Sequence, residues 1–134
     1  MIKNKFLRIL SFFIFPACVF VFSNFIGMVF DAYLIYPWID IPMHFLGGLS
    51  IAFTGTLFFN FFKEEGFIGI NRRFLSVFLI VALVSLTAVL WEFYEFLMFY
   101  FFGILMQPSL NDTIGDLFMG LLGGLFGAWV FAER

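Results

Sequence analysis

Four long apolar stretches alternate with three short polar breaks along the chain. The stretches cover about residues 7–30, 41–62, 74–101 and 113–131. A run of roughly 20 apolar residues is long enough to cross a bilayer as a helix. The breaks DAYLIYPWID, KEEGFIGINRR and GILMQPSLND contain the charges, prolines and glycines that interrupt helices. The pattern predicts an all-α integral membrane four-helix bundle, with residues 1–134 as a single transmembrane domain.

Composition excludes a soluble domain. Of the 134 residues, 63% are hydrophobic and only 12% are charged, and a domain of this size cannot hide so much apolar surface from water. The single cysteine, Cys18, excludes an internal disulfide framework. The start, MIKNKFLRILSFF, has the basic residues of a signal peptide, but the apolar run continues to about Phe30. This continuation favours a retained signal-anchor helix.

The distribution of basic residues predicts the orientation in the membrane. All seven lie before span one, between spans two and three, or at the end of the chain: Lys3, Lys5, Arg8, Lys63, Arg72, Arg73 and Arg134. The positive-inside rule makes that side cytoplasmic, so both termini are expected inside. We therefore expect a multi-pass protein of the bacterial inner membrane, with outer loops at about 31–40 and 102–112. An outer aromatic belt would contain Tyr33, Tyr36, Trp38 and Tyr100.

Six ionisable side chains of the last three spans form three helical pairs. The pairs are Asp40 with His44, Glu92 with Glu95, and Asp112 with Asp116. Spacings of three and four residues place both members of a pair on one helix face. With about 1.5 Å of rise per residue, His44, Glu92 and Asp116 fall at one depth, and their partners lie about 4–6 Å further out. The pairs therefore form two layers at matching depths.

Small residues continue each charged face toward the predicted cytoplasmic side. The three stripes are Gly48, Ala52 and Gly55 in span two, Gly120, Gly123 and Gly127 in span four, and Ala88, Ser85 and Ala82 in span three. Small residues mark close contacts between membrane helices. We expect spans two, three and four to pack with their ionisable groups around one outward-facing pocket. Span one shows no such pattern and is expected to be scaffold.

Helix capping is the structural alternative for the aspartates. Asp40 precedes Pro42 at a helix start, and aspartate is favoured at N-caps. For span four, the capping candidates are Asn111, Asp112 and Thr113. Asp116 could complete a capping-box-like pair after Thr113. In these interpretations the aspartates only stabilise helix ends.

The groups inside the spans have structural alternatives as well. His44 could be a hydrogen-bonded core histidine. Glu92 and Glu95 could be protonated and bonded to His44 or to a backbone carbonyl, because a bare carboxylate in hydrocarbon costs several kcal/mol. Trp91 and Tyr94 flank the glutamates and are expected to face lipid or the interfacial belt. The six ionisable groups together are harder to explain structurally than any one of them alone.

The donor set favours a divalent cation. Five carboxylates, one imidazole and no basic side chain would share the pocket. Oxygen ligands with one nitrogen suit Mg²⁺, Mn²⁺, Fe²⁺ or Zn²⁺. The expected metal ligands are His44, Glu92, Asp116 and Asp40. Glu95 and Asp112 are the candidate catalytic residues, as a general base or a further ligand.

Three function classes fit this pocket. The leading hypothesis is a metal-dependent membrane protein, an enzyme acting on lipid or cell-envelope precursors at the outer leaflet. The alternatives are a cation or proton translocator, and a small accessory or assembly subunit whose polar cluster only specifies packing. The inner halves of spans two to four offer only Gly, Ser, Thr and Ala as a polar path, which counts against a translocator. Membrane lipid is the expected partner, nothing indicates a nucleic-acid surface, and self-association stays open.

Three segments resemble a known family: DIPMHFLGG (40–48), WEFYE (91–95) and NDTIGDLFMGLLGG (111–124). Their order resembles the YjdF-like small inner-membrane proteins of unknown function. More distantly, the set is similar to the VanZ-like family linked to glycopeptide (teicoplanin) resistance. The resemblance covers roughly residues 40–127 and implies a shared membrane site rather than a particular reaction.

Overall fold

The computed structural model describes residues 4–69 and 72–132. These two ranges are all-helical and contain no strand. In chain order the helices are α1 (Lys5–Ser11), α2 (Ile14–Phe30), α3 (Ala32–Ile35), α4 (Asp40–Glu64), α5 (Arg73–Phe102) and α6 (Leu110–Phe131), with a 3-10 turn at Pro37–Ile39 before α4. Lys3 and Arg134, which contributed to the predicted orientation, lie outside the described residues.

Four helical segments are long and apolar enough to cross a membrane. They are Lys5–Phe30, Pro37–Glu64, Arg73–Phe102 and Leu110–Phe131, so the four predicted apolar stretches form helices whose bounds differ from the predicted ones by a few residues. Large apolar side chains are exposed along all four segments, as expected for surfaces that face lipid. Gly103 ends α5 with a φ of 68°, a left-handed conformation that glycine adopts without strain.

A proline interrupts the helical hydrogen bonding of the first span, and a neighbouring helix supplies the missing donor. Pro16 has no backbone N–H, so the carbonyl of Phe12 loses its helical donor. The hydroxyl of Thr54 in α4 donates to that carbonyl at 2.8 Å. Both Phe12 and Thr54 are buried. This hydrogen bond therefore holds the junction of α1 and α2 against α4.

The backbones of α4 and α6 touch at glycines. A Cβ atom at Gly48 would overlap the carbonyl oxygen of Gly120, and a Cβ atom at Gly123 would overlap the carbonyl oxygen of Phe45. Such an approach is open only to glycine and explains why these positions lack a side chain. The predicted small-residue faces of α4 and α6 are confirmed as a direct contact.

The predicted face of α5 is wrong in its inner part. Ala82 is exposed, and the buried residues are instead Ile80 and Val84. Six residues separate Ala88 from Ala82, which turns Ala82 roughly 120° away at 3.6 residues per turn. Steps of four keep Val84 and Ile80 close to the face of Ala88. Val84 lies directly over Gly124 of α6, where a Cβ atom would collide with its side chain.

The two ends of the molecule differ in charge. At one end, Arg8 pairs with Glu64 at 2.6 Å and Lys5 pairs with Glu65, which joins α1 to the end of α4. The start of α5 lies at this end too. The starts of α4 and α6 and the end of α5 lie at the opposite end, which carries the six predicted site residues. Exposed ion pairs contribute little stability, so the first span depends mainly on its apolar contacts and the Thr54 bond.

Adjacent glycines provide a matched test of the α4–α6 contact. We expect Gly48→Ala to destabilise the protein by about 1–3 kcal/mol or more, because the added methyl meets backbone that cannot move aside. Gly47→Ala should be neutral or slightly stabilising, since a Cβ atom there would meet no atom of the described chain within 4 Å. Thermal unfolding in detergent measures the difference, and equal stability of the two variants would contradict the contact.

The Thr54 hydrogen bond can be tested in the same way. Thr54→Val keeps the shape but leaves the buried Phe12 carbonyl without its donor, so we expect a loss of about 1–3 kcal/mol. Thr87→Val is the control, because the Thr87 hydroxyl donates to Leu83 within its own helix. A control that lost as much stability as Thr54→Val would disprove the special role of the inter-helix bond.

Candidate functional site

The imidazole of His44 lies between two aspartates from different helices. Its Nε2 atom is 3.3 Å from Oδ1 of Asp40, one turn earlier in α4, and 3.7 Å from Oδ1 of Asp116 in α6. One ligand atom from each of the three residues lies within 4.8 Å of the others. The site therefore joins the first turns of α4 to the start of α6, as the sequence predicted.

Asp40 does not cap its helix. Ile39 is the N-cap residue of α4 and makes no side-chain capping bond. Asp40 is instead the first residue of the helix, and its carboxylate is directed toward His44. The capping alternative for Asp40 is wrong because the preceding 3-10 turn already leads the chain into α4.

Capping does not explain the aspartates of α6 either. Ser109 is the N-cap, and its side-chain oxygen accepts a hydrogen bond from the backbone N–H of Asp112 at 3.2 Å. Sequence reasoning named Asn111, Asp112 and Thr113 as candidates and missed this serine. Because Ser109 caps the helix, the carboxylates of Asp112 and Asp116 are not needed there.

Helix α5 contributes a second group of carboxylates. Ligand oxygens of Glu92, Glu95 and Asp116 lie within 4.8 Å of one another. All three residues are buried, with exposed fractions of 8%, 5% and 4%. Asp116 is thus common to both groups, and five of the six predicted residues converge around it. Asp112 lies one turn before Asp116 and belongs to neither group.

Two neutral donors hold the glutamates. Gln107 Nε2 donates to Oε2 of Glu92 at 2.7 Å and to its backbone carbonyl at 3.0 Å. Trp91 Nε1 donates to Oε1 of Glu95 at 2.8 Å. Trp91, predicted to face lipid or the interfacial belt, is half-buried and also contacts Glu95. Among the described residues, neither glutamate hydrogen-bonds to His44. The spacing of four between Trp91 and Glu95 could have predicted their contact, but Gln107 lies in the α5–α6 connection and carried no signal.

Three carboxylate oxygens of the site are buried without a hydrogen-bond partner among the described residues. They are Oε2 of Glu95, Oδ2 of Asp112 and Oδ2 of Asp116. A buried polar atom left unpaired costs about 1–3 kcal/mol, and more when it is charged. Natural structures pair nearly all such atoms. These oxygens therefore need a partner that the described residues do not supply, such as a proton, a water molecule or a cation.

Tyr33, one of the residues predicted for the outer aromatic belt, is half-buried against the first span. Its ring lies against Gly27, where a Cβ atom would come within 3.0 Å, and its hydroxyl shares a hydrogen bond with Ser23. Burial raises the pKa of Tyr33, opposed by the Ser23 bond, and the nearby charges of Asp40 and Glu95 raise it further. Tyr33 is therefore a neutral hydroxyl beside the acidic group. Tyr36, Trp38 and Tyr100 are exposed, as a belt requires.

Fold and site together define the class of protein. Four membrane-length helices with a buried cluster of acids at one end make this an integral membrane protein. The chain belongs to the family described as predicted membrane protein (DUF2238), whose model matches residues 2–134. No curated protein and no solved structure matches the chain.

Removing one donor tests the arrangement of the glutamates. We expect Trp91→Phe to lower stability by about 1–3 kcal/mol, because Glu95 then has no partner for either oxygen. The control is Trp38→Phe, which changes an exposed ring at the same end. Thermal unfolding in detergent compares the two, and an unaffected Trp91 variant would argue against the Trp91–Glu95 bond.

Proposed function

We propose that this protein binds a divalent cation between α4, α5 and α6 and acts with it on lipid or cell-envelope precursors. Asp40, His44 and Asp116 provide the core of the cation site, with Glu92 beside them. The observation that carries the proposal is the buried, unpartnered Oδ2 atom of Asp116, whose other oxygen, Oδ1, is 3.7 Å from Nε2 of His44. A cation would satisfy this oxygen and offset the repulsion among the carboxylates.

The donor chemistry supports a metal more than a structural hydrogen-bond cluster. A purely structural cluster would pair its oxygens with protein donors, as Gln107 and Trp91 do for one oxygen of each glutamate. Three other oxygens have no such donor in the described chain. Carboxylate and imidazole together suit Mn²⁺, Fe²⁺ or Zn²⁺, and Mg²⁺ would prefer the oxygens.

Packing below the site counts against ion translocation. A translocator needs a polar path through the protein, yet Gly48 and Gly120 bring the α4 and α6 backbones together just inward of His44. The buried hydroxyls of Ser50 and Thr56 further inward donate to carbonyls of their own helix. This packing confines the acidic side chains of the site to one end of the bundle.

We infer that this end faces the outside of a bacterial inner membrane, with both termini cytoplasmic. The support is the charge difference between the ends: Lys5, Arg8 and Arg73 lie at the end away from the site. A substrate bearing phosphate would then meet the bound cation rather than a basic side chain. Glu95 and Asp112, each with a buried unpartnered oxygen, are the candidates for a general base or a further ligand. The YjdF-like resemblance agrees with this proposal, whereas the VanZ-like resemblance gains no support.

Metal content of the purified protein tests the proposal. We expect detergent-purified protein soaked in Zn²⁺ or Mn²⁺ and then desalted to retain metal by mass spectrometry. The variants His44→Ala and Asp116→Asn should lose most of the bound metal, because each removes one ligand of the proposed site. Asp31→Asn is the matched control: Asp31 is an exposed acid at the same end with a φ of 48°, which asparagine tolerates.

The outcomes separate the hypotheses. If folded wild type retained no metal after soaking in Zn²⁺ or in Mn²⁺, the cation proposal would be wrong. Protonated carboxylates with a structural role would then be favoured. Equal retention by wild type and both site variants would place the metal elsewhere. Circular dichroism and gel filtration of every variant distinguish lost binding from lost folding.

A further inference from the structure

We propose that the site holds two divalent cations, with Asp116 as the carboxylate that bridges them. This inference rests on the proposed function and specifies how many ions the site takes. The first ligand set is Asp40, His44 and Asp116, and the second ligand set is Glu92, Glu95 and Asp116. Each set comes from two different helices, and only Asp116 belongs to both.

The geometry suits two ions better than one. Ligand atoms within each set lie within 4.8 Å of one another, so each set can surround a cation. The Oδ1 atom of Asp116 faces His44 at 3.7 Å, while its Oδ2 atom is buried and has no partner among the described residues. A carboxylate with two available oxygens can ligate one ion with each. Pairs of catalytic metals are typically about 3.5–4 Å apart, a distance that a bridging carboxylate spans.

The second ligand set also contains a carboxylate oxygen that has no partner. Oε2 of Glu95 is buried and unpartnered, while Oε1 accepts from Trp91. Glu92 is held in a similar way, with Oε2 accepting from Gln107. Outer donors of this kind fix the orientation of metal-ligating carboxylates. Both glutamates therefore have one oxygen held by a protein donor, and in Glu95 the other is free to ligate.

Charge also favours two ions. The site contains five carboxylates: Asp40, Glu92, Glu95, Asp112 and Asp116. One divalent cation leaves a large negative excess in a region of low dielectric, whereas a second reduces that excess to about one charge. The basic residues described in the structure lie at the far end or outside the site and cannot provide this compensation.

The two positions differ in chemistry. The first ligand set includes the only histidine of the chain and suits a transition metal. The second ligand set offers only oxygen, which suits a harder ion such as Mg²⁺ or Mn²⁺. Mn²⁺ accepts both kinds of ligand and is paramagnetic, so it can report on both positions at once.

Titration with Mn²⁺ and electron paramagnetic resonance tests the inference. We expect detergent-purified wild type to bind two equivalents of Mn²⁺ and to give the spectrum of an exchange-coupled pair. Glu95→Gln should bind one equivalent with an uncoupled six-line spectrum, because only the second ligand set is damaged. Asp31→Asn should behave as wild type.

Each contrary result has a distinct meaning. One equivalent with a six-line spectrum in wild type would overturn the two-ion inference and leave the proposed function intact. If folded wild type bound neither Mn²⁺ in the titration nor Zn²⁺ by mass spectrometry, both the two-ion inference and the proposed function would be overturned. Two equivalents without coupling would show that Asp116 does not bridge them. The wild-type measurement decides by itself, so a variant that fails to fold does not remove the test.

Discussion

The contact between α4 and α6 is the constraint on which the site depends. Two carbonyl groups occupy the space that side chains would need at Gly48 and Gly123. The helices can approach this closely only because those positions are glycine. Without that approach, His44 of α4 and Asp116 of α6 could not come within 3.7 Å of each other. Loss of the contact would thus remove the site even if every ionisable residue stayed in place.

Burying these carboxylates within a membrane protein costs free energy unless they are neutralised. Four or more carboxylates near one imidazole would repel one another, and hydrocarbon offers no water to solvate them. A protein that only needed helix packing could use the glycine contact alone, as α4 and α6 do further inward. The acids are placed at one end of that contact, near the starts of α4 and α6. This placement, together with the unpartnered oxygens of Glu95 and Asp116, favours a bound cation over a packing role.

The connection between α5 and α6 is part of the site rather than a simple link. Gln107 lies in this irregular segment and bonds both the side chain and the backbone carbonyl of Glu92. Two residues later, Ser109 caps α6 and so leaves the aspartates of that helix available. The segment therefore orients Glu92, and it leaves Asp112 and Asp116 without a capping role. Within α5, Trp91 orients Glu95 by donating a hydrogen bond to its carboxylate.

The four membrane-length helices, the acidic end of the bundle and the glycine faces of α4 and α6 could be predicted from the amino-acid sequence. These follow from local properties: the length of apolar runs, helical spacing, and the need for small residues at close contacts. Helical spacing also brought five of the six ionisable residues together correctly. It failed for the inner face of α5, because the sequence does not tell whether a contact follows steps of three or of four residues.

The hydrogen-bond and packing partners of these residues depend on how the helices come together. Spacing could place Asp40 beside His44 at a helix start, but only the fold shows that Ile39, and not Asp40, is the N-cap of α4. The roles of Gln107 and Thr54 also depend on contacts between segments distant in the chain. Asp116 is common to both ligand groups because three helices cross at its position. Such a crossing is set by how the helices pack, which no single stretch of sequence encodes.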